Sequence, residues 1–284
     1  MKRLVILGVA LSAILGFSTT VQAAPGDELS TITVAVPSPS GIGVSVAADC
    51  EGNLYYTNYT SPFLHKIAAD GSLIATVPLT LAGTSVTIGE MSWDNDRGIL
   101  WGAGDTSIPV PVYQIDPVTG DVTYMFDGMS DWLSLTDGFA YDGHDGTVWH
   151  STDVSTRVDH FAADGTPLGS ITPLDAAGAP LGSISGLMVG TGDLFYCGRN
   201  GLGEIVIVTK STGAFITSFA TVGGRDEGLE CDAVNFSPTL AVWSKDAYDD
   251  SITAMEVEDG TCVCGGAPTA IEQTTWGQIK SNYR

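Results

Sequence analysis

Apolar residues in this chain come in short runs, each broken by a Gly, Asn or Asp turn, and the runs recur with a long period. Five of them reach an aromatic residue, at Tyr56, Trp101, Trp149, Tyr196 and Trp243, spaced by 45, 48, 47 and 47 residues. A period of roughly 40–50 residues marks a radial or stacked architecture and outranks any local guess about secondary structure. Superposing the copies shows one unit. It opens with a run ending at a turn: Ser45 to Asp49, Glu90 to Asp94, Gly138 to Asp142, Gly186 to Gly190 and Gly228 to Asp232. The aromatic-ended run follows, then a polar loop and a third run such as Val112 to Ile115. A turn like Ala69-Asp70-Gly71 or Val118-Thr119-Gly120 leads into a fourth run, such as Leu73 to Val77.

Four short β-rich runs joined by Asp-Gly and Thr-Gly turns predict a four-stranded antiparallel meander, and no helical period intervenes. One meander cannot bury both faces, whereas five around an axis can. The fold class is therefore all-β, a five-bladed propeller, with the aromatics filling the spaces between blades. The turn aspartates Asp49, Asp94, Asp142 and Asp232 read as side-chain caps. A lone strand from Thr31 to Val36 precedes the first unit. It is expected to supply the outer strand of the last blade and so close the ring.

The ends differ from the repeats. Met1-Lys2-Arg3, the apolar run Leu4 to Phe17 and Val21-Gln22-Ala23 form a secretory leader, too short for a membrane span. Cleavage is expected after Ala23, because a cut after Ala24 would place Pro25 first. The organisation is then a leader over 1–23, a propeller over 24–264, and a linker with a short tail over 265–284. In that tail Trp276, Ile279 and Tyr283 would share one face of a helical turn.

With Lys2 and Arg3 removed, 9 basic residues face 33 acidic ones, a net charge of −24. Phosphates would be repelled, so nucleic acid is excluded as a partner, as is an anionic membrane surface. The expected partners are an extracellular protein, a glycan or a small ligand, met by a secreted or periplasmic monomer. The cysteines are Cys50, Cys197, Cys231, Cys262 and Cys264, an odd number. Cys50 lies at the seam of the closed ring, so a bond to Cys231, or to Cys262 or Cys264, would lock it.

Chemistry is expected on the face that carries the loops between fourth and first strands and between second and third strands. Glu90, Asp137, Asp226 and Glu227 fall at the starts of innermost strands, around the channel mouth. Asp105, Asp153, Glu204, Asp246, Asp249 and Asp250 fall on loops of that face. Carboxylates gathered in one concavity raise one another's pKa or recruit a cation. Of the histidines, His65, His144 and His160 lie away from the axis, whereas His150 could approach the upper face. No Ser-His-Asp or Cys-His arrangement and no phosphate loop can be argued from spacing, so no catalytic residue is assigned.

The run Asp137-Gly138-Phe139-Ala140-Tyr141-Asp142 with Gly146-Thr147-Val148-Trp149, and the turn Ile115-Asp116-Pro117-Val118-Thr119-Gly120, resemble the repeat of NHL and gluconolactonase-like propellers. The resemblance covers roughly residues 30–264. It implies a divalent ion in the channel, Ca²⁺ or a similar cation, held by a Glu, an Asn and an Asp. Asp137 matches the Asp, Glu90 or Glu227 the Glu, and the place of the Asn reads Ser185-Gly186-Leu187. It also implies a six-bladed ring where this chain counts five. Two functions follow as expectations: an exported binding module holding its ligand on the acidic face, or a metal-dependent hydrolase or lyase.

Overall fold

The computed structural model describes residues 24–39, 42–104, 109–128, 136–152, 155–182, 184–199, 201–258 and 260–262. Among them there are strands and turns and no helix. The first strand, β1 (Glu28–Thr33), stands apart from the unit that follows it. Blade 1 comprises β2 (Gly43–Ala48), β3 (Asn53–Asn58), β4 (Phe63–Ala68) and β5 (Leu73–Pro78). A two-stranded ribbon, β6 (Thr80–Leu81) and β7 (Thr84–Ser85), leads into blade 2 and has no counterpart in the sequence reading. Blade 2 holds β8 (Ile88–Asp94), β9 (Ile99–Gly104), β10 (Pro111–Ile115) and β11 (Val122–Asp127). Blade 3 holds β12 (Thr136–Asp142), β13 (Thr147–Thr152), β14 (Val158–Ala162) and β15 (Pro167–Ile171). Blade 4 holds β16 (Ile184–Val189), β17 (Leu194–Arg199), β18 (Glu204–Thr209) and β19 (Phe215–Ala220). Blade 5 has only β20 (Asp226–Asp232), β21 (Leu240–Asp246) and β22 (Ser251–Val257) of its own. Its outer strand is β1, paired antiparallel with β22 from Glu28↔Met255 to Thr33↔Ser251. The ring is thus closed by the N-terminal strand, three residues earlier in sequence than expected.

Five apolar clusters form the core, one in each gap between blades. Trp101 and Ala103 of blade 2, for example, meet Phe139, Val148 and Phe161 of blade 3. Trp243 and Ala254 of blade 5 meet Val46, Leu54 and Ile67 of blade 1. Burying apolar area on both faces of each blade is what a lone meander cannot do, and it is the main favourable contribution to the fold.

Each turn aspartate does what its spacing predicts. Asp232 accepts hydrogen bonds from Val234 N (2.7 Å) and Asn235 N (3.0 Å), and from the indole Nε1 of Trp243 at 2.7 Å. Asp94 accepts from Asp96 N, Arg97 N and Trp101 Nε1. In blade 1 the hydroxyl that donates to the turn aspartate belongs to Tyr55, 3.1 Å from Asp49 Oδ2. Tyr55, not Tyr56, is therefore the structural counterpart of the tryptophans, a one-residue correction that only the ladder register reveals. Tyr56 faces the other way, against blade 5.

The described cysteines also correct the sequence reading. Cys231 is bonded to Cys262, so it is not the partner of Cys50. Cys50 is itself disulfide-bonded and Cys197 is a buried free thiol. Cys264, the linker, the C-terminal tail and the leader lie outside the described residues.

Candidate functional site

Each inner strand carries a β-bulge near its start. The register slips between Gly43 and Ser45, Ile88 and Glu90, Thr136 and Gly138, Ile184 and Leu187, and Glu227 and Leu229. A bulge bends its strand and re-aims the side chains beside it, here at the channel mouth. Side-chain hydroxyls tie the bulged ends across blades. Thr57 donates to Ile88 O (3.0 Å), Thr136 to Gly104 O (2.8 Å) and Ser185 to Asp226 O (2.8 Å). Ser185, where the resemblance calls for a metal-binding Asn, is thus a tie in the rim.

Counting back four residues from each turn places Glu90 level with Ser45, Gly138, Gly186 and Gly228. The four counterparts are small, which leaves room at this level for one long side chain. Glu90 fills it and is 1% exposed, and among the described residues neither carboxyl oxygen meets a hydrogen-bond donor. Its carboxyl is held well above the usual range, first by burial, then by the nearby charges of Glu227 and Asp137. Asp137 and Glu227 are buried as well, so three sequence-predicted residues share one electrostatic neighbourhood.

Two cations at the mouth were not anticipated. Arg225 pairs through Nε with Glu227 Oε1. Lys245 sits opposite Glu227 in the ladder, fully buried, its Nζ donating to Asp246 O at 2.9 Å. Burial lowers its pKa, against the pull of Asp250, Asp249, Asp246 and Glu227. A Lys just after the apolar run Leu240-Ala241-Val242-Trp243 was the available signal; Glu227, Asp249 and Asp250 are brought to it by the fold.

The other candidates are occupied by structure. Asp226 accepts from Thr221 Oγ1 (2.5 Å) and Ser244 Oγ (2.7 Å), although burial still raises its pKa. Asp246 caps Gly224 N, Arg225 N and Tyr248 N, Asp250 accepts from Ser38 N, and Glu204 pairs with Arg199 at 2.9 Å. His150 is buried beneath the mouth, not displayed on it. Burial pushes its pKa to about 3, and Nε2 lies 3.2 Å from Thr136 Oγ1. Asp105 and Asp153 lie outside the described residues.

The lower end of the channel is crossed by a residue that sequence reasoning missed. Glu230 of β20 reaches the inner strand of blade 2, two blades away. There its Oε2 accepts from Ser92 Oγ (3.0 Å) and Trp93 N (2.9 Å). Its Oε1 accepts from Cys231 N at 3.1 Å. Burial nevertheless pushes its pKa up to about 7.

As a cation site the mouth is right in kind, since hard carboxylate oxygens suit Ca²⁺. It is not right in convergence. Among the described residues no three His, Cys, Asp or Glu side chains come together closely enough to hold one ion. A preformed three-ligand metal centre does not fit these residues.

No family model matches the sequence, and no curated protein is significantly similar to it. Solved structures are similar in shape. A glutaminyl cyclase from Myxococcus xanthus superposes with a TM-score of 0.58 at 11% identity, over 84% of this chain and 97% of that one. Regucalcin, a calcium-binding protein from Agrobacterium tumefaciens, gives 0.54 at 13% identity, over 82% and 98%. A gluconolactonase from Xanthomonas campestris gives 0.52 at 16% identity, over 76% and 72%. Identities this low carry the fold and nothing finer. At that level the repeat resemblance is borne out: this chain has the β-propeller fold of the gluconolactonase- and regucalcin-like proteins, in a five-bladed form.

Proposed function

We propose that this protein is an exported ligand-binding propeller that takes its ligand at the upper mouth of the channel, over Glu90, Asp137 and Glu227. The observation that supports this reading is the carboxyl group of Glu90, buried with both oxygens lacking a donor among the described residues. Leaving such a group unsatisfied costs about 1–3 kcal/mol or more. A ligand that brings N–H or O–H donors would recover that cost on binding. The leader-like N-terminus and the net charge of −22, or −24 once Lys2 and Arg3 are removed, support an extracellular or periplasmic setting, with a small ligand, glycan or protein as partner.

A metal-dependent hydrolase or lyase is the second reading. It is favoured by the names of the similar structures, which include a calcium-binding protein and a gluconolactonase. In it Asp137 with Glu90 or Glu227 would bind Ca²⁺, and an ester or lactone would be the substrate.

Calorimetric titration of Ca²⁺ into chelator-stripped protein, repeated on Glu90→Gln and Asp137→Ala, separates the two. The binding-module reading expects no heat from Ca²⁺. Tight binding abolished in both variants, with metal-dependent turnover of lactones or esters, would replace it with the enzyme reading.

A further inference from the structure

The fifth blade closes through a turn that is cut in two. In blade 1, Ala68 at the end of β4 donates its N–H to Ser72 O, and Gly71 N–H donates to Ala68 O, both at 2.9 Å. Blade 3 repeats the pair with Ala162, Thr166 and Gly165, again at 2.9 Å. In blade 5 the same two bonds join distant parts of the chain. Glu256 N–H donates to Asp27 O, and Gly26 N–H to Glu256 O, each at 2.9 Å. Gly26 has φ +93°, beside +85° for Gly71 and +86° for Gly165. A Cβ on Gly26 would lie 2.7 Å from Phe219 Cβ in the outer strand of blade 4. One on Gly165 would lie 2.6 Å from Phe126 Cβ in the outer strand of blade 2.

Ala24-Pro25-Gly26-Asp27 therefore stands in for Ala69-Asp70-Gly71-Ser72. Ala24 occupies the position at which, in the other blades, the chain enters the turn from the third strand. It is exposed, its N donates to Asp27 Oδ2 at 2.8 Å, and Asp27 N donates back to Ala24 O at 2.8 Å.

We infer that the Ala23–Ala24 bond is the maturation site, and that the α-ammonium released there, held by the Asp27 side chain, begins the turn that closes the ring. The inference rests on the export reading. Hydrolysis by an export-associated peptidase adds one water across the bond, leaving a carboxylate on Ala23 and an ammonium on Ala24. The ammonium keeps the donor that the amide supplied and adds a charge opposite Asp27. A cut one residue later would remove both Ala24 contacts and place Pro25 first. A cut upstream would leave an extension at the position where the turn begins.

The test is to express the full chain, leader included, in a secreting host, and to determine the mass and N-terminal sequence of the exported protein. Export with residues 1–23 removed, starting at Ala24, is the expected result. Retention of an uncleaved chain would overturn the export reading and this inference together. Export with a different first residue would overturn this inference alone. On the exported protein, Asp27→Asn is expected to lower the titration midpoint of the α-amine, followed by NMR; an unchanged midpoint would remove the ammonium–carboxylate contact. Gly26→Ala is expected to lower the melting temperature by about 3–8 °C, because the new Cβ meets Phe219 from a left-handed backbone. No loss would overturn the equivalence of this segment to the other turns.

Discussion

Glu230 is a carboxyl group held by three donors in a place almost closed to water, and burial outweighs the donors. Its folded pKa of about 7 lies above the ordinary 4.5, so the folded state keeps a proton that the unfolded chain releases. The stabilisation is complete below about pH 4.5 and is lost as pH rises through 7. A shift of this size corresponds to about 3 kcal/mol. Glu230→Gln cannot ionise, so its melting temperature is expected to flatten between pH 5 and 8. Its amide turns an N–H towards a backbone donor that the carboxylate accepted, so the quantity to read is the difference between the two proteins, which should shift in the variant's favour by roughly 5–10 °C from pH 5 to pH 8. Scanning calorimetry across that range checks this, and parallel curves for the two proteins would refute it. Glu90 acts with the same sign, so some slope should survive in the variant. The positions of Glu90, Asp137 and Glu227 were legible in the sequence because the repeat fixes where each inner strand starts. That Glu230 bridges blades 5 and 2, or that Lys245 lies buried beside Glu227, was not. Those contacts depend on ring curvature and on which residues opposite are small, which no local pattern encodes.

Within each blade the Asp turn and the aromatic of the second strand form one device, and the blades differ in whether it is complete. Trp243 has its partner in Asp232, 2.7 Å away. Trp149 does not: its Nε1 is buried without a hydrogen bond among the described residues, while Asp142 is engaged by Lys210 from blade 4. The Trp149 ring instead stacks on His160, with centroids 3.8 Å apart. Substituting Phe removes the same atoms from either site but breaks a hydrogen bond in only one. Trp243→Phe is therefore expected to cost about 1 kcal/mol more than Trp149→Phe in urea unfolding, because it removes one of the two donors to Asp232 Oδ2 and leaves only Asn235 Nδ2 at 2.6 Å. Equal costs would mean that the indole–aspartate bond contributes nothing. At this scale strand order and turn chemistry were readable because they recur from blade to blade, and the outer position of β1 because a lone strand precedes the first unit while the last blade is short of one. The assignment of Tyr56 failed by one residue because Tyr55 and Tyr56 are adjacent and both aromatic, so only pairing across the ladder separates them.

A ring of five near-equal blades has no strongest point in its sequence, so its seams and exceptions decide how the whole molecule holds together. Blade 4 lacks the turn aspartate and has Gly190 in its place. The segment after β22 fills the gap: Thr191 N donates to Thr261 O at 2.9 Å, and Tyr196 OH to Thr261 Oγ1 at 3.3 Å. The Cys231–Cys262 bond then fastens this segment to the end of β20, on the face opposite the mouth. Blade 5 lacks a strand of its own and borrows β1, so β1 and the segment around Thr261 both stabilise the last two blades. A crosslink spanning 31 residues contributes about 3–4 kcal/mol on the chain-entropy model. The double variant Cys231→Ser/Cys262→Ser should therefore melt roughly 6–15 °C lower than the wild type. Thr261 is buried beside the staple, so amide exchange should rise first at Thr191 and Thr261, ahead of β8 on the far side of the ring. Uniform acceleration in all five blades would mean that the bond supports the ring as one cooperative unit, not its seam. The same asymmetry governs the mouth: positions that repeat build the scaffold, and Glu90, Asp137, Glu227 and Lys245 stand where the repeats depart from one another.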